Sequence, residues 1–172
     1  MEQIAVGRSS YPPQEVVKRA QKASGWFAAI AVFSCINSLL VLFKAKVSFV
    51  IGLGATQVVD ALILAIRENA AGAAQAAFTV VALAVNLAIV GSVVLIWWLS
   101  KRGNTVAYAV GMGLYLLDTL IFLLVGDWVG VGFHVFFLAM LWGGYAFVRA
   151  WSRAQQLLVP SEPPQQAPPY PV

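Results

Sequence analysis

Long apolar runs separated by short polar breaks dominate this chain. Residues 26–43 carry no charge, residues 76–99 form the longest run, and residues 106–125 and 128–148 form a pair joined at Gly126-Asp127. A helix needs about 20 apolar residues to cross a hydrocarbon core about 30 Å thick. These four runs therefore predict four membrane-spanning helices. The fold class expected is an all-α integral membrane protein, a four-transmembrane-helix bundle.

A fifth run, residues 47–66, is ambiguous. It is long enough to span, yet it holds Gly52, Gly54, Gln57 and Asp60. Ser48, Gly52, Thr56 and Asp60 recur every four residues, a small or polar stripe down one helix face. An aspartate at the centre of a span costs about 2.5–3.5 kcal/mol on insertion scales, and each glycine weakens a helix by roughly 1 kcal/mol relative to alanine. Charge counting separates the two topologies. If the segment does not cross and the amino terminus is cytoplasmic, Arg8, Lys18, Arg19, Lys22, Lys101, Arg102, Arg149 and Arg153 lie inside, against Lys44, Lys46 and Arg67 outside. If it does cross, the two sides are nearly balanced. Because basic residues favour the cytoplasmic side, residues 47–66 are expected to be re-entrant or interfacial, with both termini cytoplasmic.

Composition agrees with a lipid environment. Apolar residues make up 60% of the chain and charged ones 10%, against about 25% charged in a typical soluble domain. Net charge is +4, but the basic residues sit at segment ends. That arrangement suits headgroups and topology rather than a nucleic-acid surface. Cys35 is the single cysteine, so no intrachain disulfide forms, and its apolar setting predicts a small buried thiol. Residues 1–24 read as a basic leader, with Pro13 placed to open a helix and residues 14–24 suited to a helix lying at the membrane surface. The first run is too long for a signal h-region and reads as an uncleaved span. Residues 154–172 form a proline-rich tail expected to be extended and disordered; its Pro168-Pro169-Tyr170-Pro171 lacks the PPxY spacing of a WW-domain ligand.

Few residues carry candidate chemistry. Asp118 lies nine residues before Asp127, and His134, the only histidine, seven after it. Across an antiparallel hairpin the two differ in depth by about 3 Å, close enough to pair. An ionisable group in a membrane needs such a partner. The pair reads either as an interhelical clamp or as a proton-carrying site. Gln57 and Asp60 form a second candidate site, facing a cavity if the segment is re-entrant, since irregular backbone in a membrane must line water or be buried in protein. Ser34, Asn37 and Ser38 share one face of the first span. With Asn86, and with Gly111 and Gly113 in two small-xxx-small pairs, they are expected at helix–helix contacts.

Enzyme signatures are sparse. Ser92 lacks a G-x-S-x-G context, and one histidine, one cysteine and scattered aspartates give no metal-ligand spacing. A bis-histidine haem would need His134 from two copies. Gly52-Leu53-Gly54 lacks the lysine and preceding strand of a phosphate loop. No cofactor and no metal are expected. The run from Phe49 to Gln57, followed by Asp60 and preceded by Asn37-Ser38, resembles a group of small bacterial membrane proteins of uncharacterised role. The resemblance implies a bacterial inner-membrane location and carries over neither an activity nor site residues. The expected function is a structural or accessory membrane component that packs with itself or with a membrane partner. A small carrier or channel using Asp118, His134 and Asp60 is the alternative, and a membrane enzyme with His134 as base the third.

Overall fold

The computed structural model describes residues 11–42, 52–68 and 72–158. Residues 1–10, the start of the 47–66 segment, and the tail from 159 lie outside the described residues. Five helices and no strand are present among them: α1 (Pro13–Leu42), α2 (Gly54–Glu68), α3 (Ala73–Ser100), α4 (Thr105–Val125) and α5 (Trp128–Leu158). Helices α1, α3, α4 and α5 are long and apolar enough to cross a membrane. The fifth, α2, has 15 residues and is only about 22 Å long.

Contacts fix the helix directions. The Cβ position of Gly111 on α4 faces Ile96 of α3 and Phe27 of α1. Nearer the other end, Asn86 of α3 meets Ser38 of α1. Thus α1 and α3 are antiparallel, and α4 runs with α1. The Tyr108 hydroxyl donates to the Leu141 carbonyl at 2.8 Å, and His134 lies against Asp118, so α5 is antiparallel to α4. The first turns of α1 and α4 and the last turns of α3 and α5 therefore share one end of the bundle. Lys18, Arg19, Lys22, Lys101, Arg102, Arg149 and Arg153 all sit there. The core between the helices is aromatic: Phe27, Tyr108, Tyr115, Phe137 and Leu141 are buried together. The outer surface carries exposed Val80, Leu87, Leu116, Leu117 and Leu124.

The turns follow their sequence. Gly126 takes a left-handed conformation, φ 72°; its N–H bonds to Leu123 and that of Asp127 to Phe122, the two bonds of a Schellman stop. Asp127 then caps α5 through the Gly130 N–H at 3.0 Å. Asn104 caps α4 through the Ala107 N–H at 2.9 Å.

Several expectations are corrected. Residues 14–24 do not form a separate surface helix but are the first turns of α1. Their apolar stripe, Val16, Ala20 and Ala23, is buried, and Ala20 and Ala23 join a cluster with Val148 of α5. Cys35 is exposed, because it is turned about 100° from buried Ser34. Gly113 has nothing within 4 Å of its Cβ position, whereas Gly111 is tightly packed. Two residues along a helix are about 200° apart, so the two glycines cannot both face the bundle. Gly113 is not at a helix contact among the described residues.

A buried carboxylate–imidazole site at the start of α2

The second helix starts without a cap of its own. Leu53 precedes Gly54 and Ala55, and a leucine offers no side-chain acceptor to the free N–H groups of a first turn. Neighbouring helices supply the acceptors. The Ser34 hydroxyl of α1 accepts from the Leu53 N–H at 2.9 Å while donating to the Ile30 carbonyl. Asp118 of α4 takes the next two N–H groups: Oδ2 accepts from Gly54 at 2.7 Å and Oδ1 from Ala55 at 2.8 Å. A carboxylate here also meets the positive end of the α2 dipole.

His134 completes the arrangement from α5. Its Nε2 lies 2.9 Å from Asp118 Oδ2, and its Nδ1 lies 2.9 Å from the Gly130 carbonyl one turn back. A carbonyl can only accept, so Nδ1 carries a hydrogen. One further proton is then shared between Nε2 and Oδ2. Tyr115 and Phe122, one turn to either side of Asp118 on α4, enclose the imidazole. Tyr115 stacks on it with ring centroids 4.6 Å apart, and Phe122 lies at 4.4 Å. His134 is fully buried and Asp118 is 7% exposed.

Two glycines make room for Phe122. A Cβ on Gly54 would lie 2.7 Å from its ring, and one on Gly130 would overlap the same ring from the α5 side. The ring is wedged between the start of α2 and the start of α5. Neither glycine nor Phe122 was among the candidate residues. A cavity of about 210 Å³ adjoins the site between α1, α3 and α4, with Asp118, Tyr115 and Leu53 among its walls and Ser92 and Leu114 at its exposed side.

The second polar cluster lies further along α2. Asp60 accepts from the Asn86 amide of α3 at 2.6 Å and from the Ser38 hydroxyl of α1 at 3.1 Å; the Asn86 amide also donates to Ser38 at 3.2 Å. Three isolated polar residues on three apolar helices thus meet. Gln57, grouped with Asp60 in the sequence reading, does not join them. Its Nε2 is buried without a hydrogen-bond partner among the described residues, as is Asn86 Oδ1. Asn37 is buried on the same side of α1, and Gly52 packs on the backbone of Ser34. Among the described residues, no group of three or more His, Cys, Asp or Glu could hold a metal ion.

No protein family, curated protein or solved structure matches the chain. Both oxygens of Asp118 are engaged, and α2 and α5 converge on it.

Proposed function

We propose that this chain is a non-enzymatic structural or accessory protein of a bacterial inner membrane, built as four spans around a re-entrant half-helix. Asp118 carries the proposal. Its carboxylate is the cap of a helix 64 residues away in sequence, so the most expensive group in the membrane serves to seat α2. The depth of that seat supports re-entry. Ser34 lies eight residues before the end of α1 and Asp118 seven before the end of α4, which puts the start of α2 about 10–12 Å inside those helix ends. From there α2 runs past Asp60 beside Ser38 toward the start of α3, on the side where α1 ends. The end carrying seven basic residues is the cytoplasmic one by the positive-inside rule, and packing with itself or with a membrane partner is the expected mode of action. The likeness to small bacterial membrane proteins belongs to the same proposal.

Single cysteines at Gln14, Ala74 and Asn104, in a Cys35→Ser background, test the topology. Gln14 and Asn104 are expected to label from the cytoplasm and Ala74 from outside. Labelling of Gln14 and Ala74 from one side would mean that α2 crosses, and would overturn the re-entrant arrangement.

One observation favours a second reading, a small ion-coupled carrier. Asp60 has no cationic partner among the described residues, and half-helices ending inside a bundle are a recurrent way of building transport sites. Reconstitution into vesicles with a pH-sensitive dye separates the two. The structural reading expects no proton or cation flux above empty vesicles. A flux abolished by Asp60→Asn or Asp118→Asn in protein that remains folded would favour the carrier.

A further inference from the structure

The basic end of the bundle holds a groove with a graded lining. It lies between α1 and α5 and encloses about 520 Å³. At its upper rim stand Glu15, Lys18, Arg19 and Lys22 of α1; lower down the walls are Trp26, Met140 and Gly143. From Lys18 to Trp26 the groove descends about 12 Å along α1, and α5 runs the opposite way beside it. Charge is therefore confined to one end and apolar surface to the other, along the direction in which the helices cross.

The rim charges are unbalanced. Arg19 is paired with Glu15 at 2.8 Å, and its guanidinium lies 4.2 Å over the Tyr11 ring. Lys18 and Lys22 are exposed, and neither forms a salt bridge to a described residue. They stand four residues apart, one turn along a helix, where like charges repel. An anion between them would relieve that repulsion. Beneath them, Gly143 leaves the groove wall open: nothing lies within 4 Å of where its Cβ would be. Met140 and Gly143 are exposed, so no described part of the chain covers this surface.

We infer that this groove binds one anionic phospholipid, its phosphate between Lys18 and Lys22 and an acyl chain laid over Trp26, Met140 and Gly143. Basic pockets between membrane helices are suited to anionic headgroups. The apolar lower half selects a lipid over free phosphate, which would leave that half without a partner. Trp26 stands at the change from charged to apolar lining, where an indole favours the membrane–water interface.

The test uses the full-length protein in a neutral detergent, with lipid binding followed by native mass spectrometry and by thermal shift. Phosphatidylglycerol is expected to bind and to raise the melting temperature more than phosphatidylcholine does. The Lys18→Gln/Lys22→Gln pair is expected to weaken phosphatidylglycerol binding about thirtyfold, from the usual attraction of two lysines to an anionic headgroup. Without lipid it should leave the melting temperature unchanged or slightly raised, because the repulsion between the two lysines is gone. Gly143→Leu adds no charge and its Cβ enters open space, so it should fold normally, fill the groove and lose phosphatidylglycerol affinity. Lys101→Gln/Arg102→Gln, at the same end but outside the groove, should bind as wild type. Four results would each overturn the inference: equal binding of the two lipids, an equal loss in the Lys101/Arg102 control, full binding by Gly143→Leu, or a thermal shift reproduced by inorganic phosphate alone. Unchanged lipid binding in the Lys18/Lys22 variant would do the same.

Discussion

Replacing Asp118 with alanine removes acceptors from three donors at once. The Gly54 and Ala55 N–H groups lose their acceptors, and His134 Nε2 is left facing a void. A buried donor left unsatisfied costs about 1–3 kcal/mol, and removing one member of a buried ion pair about 3–5 kcal/mol. We therefore expect Asp118→Ala to destabilise the protein by at least about 3–5 kcal/mol, with the loss concentrated at α2. Asp118→Asn should cost less, about 1–3 kcal/mol. In either orientation its amide offers one oxygen to one of the two N–H groups and turns its own NH2 toward the other. Two measurements check the reasoning. Thermal unfolding in detergent should rank wild type above Asn above Ala. Hydrogen exchange should accelerate in peptides from residues 52–60 more than in those from α3 or α5. A double-mutant cycle with His134→Ala should show coupling of about 0.5–3 kcal/mol, as expected for residues in one network. If Asp118→Ala costs under about 1 kcal/mol, or if exchange at the start of α2 does not change, Asp118 is not what holds that helix.

Other substitutions address the packing around the site. Gly54→Ala should lose about 1–3 kcal/mol by overpacking against Phe122, and Phe122→Leu in the same chain should recover part of it, read from the same melts. Gly111→Ala should cost a similar amount, because its Cβ would meet Ile96 and Phe27 at 2.5–2.8 Å. Gly113→Ala, facing open space, should be neutral or gain up to about 1 kcal/mol in helix propensity; a loss of oligomer in that variant by size-exclusion chromatography would instead place Gly113 between copies. Tyr108→Phe removes the bond to the Leu141 carbonyl and should lower stability by about 0.6 kcal/mol, typical of a hydrogen bond between membrane helices.

Much of the bundle was legible because its signals are local. Run length identified the four long helices, and Gly126-Asp127 marked the turn between α4 and α5. With that turn fixed, equal distance along two antiparallel helices brought Asp118 and His134 to one level. Tyr115, three residues before Asp118, shares its helix face by the same spacing. The glycines were less legible. A glycine that makes space for a ring on another helix, as Gly54 and Gly130 do for Phe122, reads the same as one that faces outward, as Gly113 does. The distinction lies in the partner's position, which composition does not encode. Periodicity could still have separated Gly111 from Gly113, since only one of them can share the face of buried Ala107 and Tyr108.

The docking of α2 on Asp118 was not foreseen, although two sequence features pointed toward it. A helix opening on Leu53-Gly54-Ala55 lacks a side-chain acceptor of its own, so its first N–H groups need one from elsewhere. Asp118 lacks a basic neighbour on its own helix and likewise needs a partner from elsewhere. In the proposed membrane setting water would satisfy neither requirement, so each points to the other more strongly than it would in water. The same logic joins Ser38, Asp60 and Asn86, each isolated on its own apolar face. Counting unsatisfied groups segment by segment therefore gives long-range information in a membrane chain that hydropathy alone does not. It also explains why one carboxylate couples so much here. Its oxygens fix the start of α2, its partner fixes the register of α4 against α5, and the ring beside it is held by glycines from two helices. A shift of any one of these elements would break a hydrogen bond or collide with Phe122, so the start of α2 and the α4–α5 hairpin should respond to perturbation as a unit.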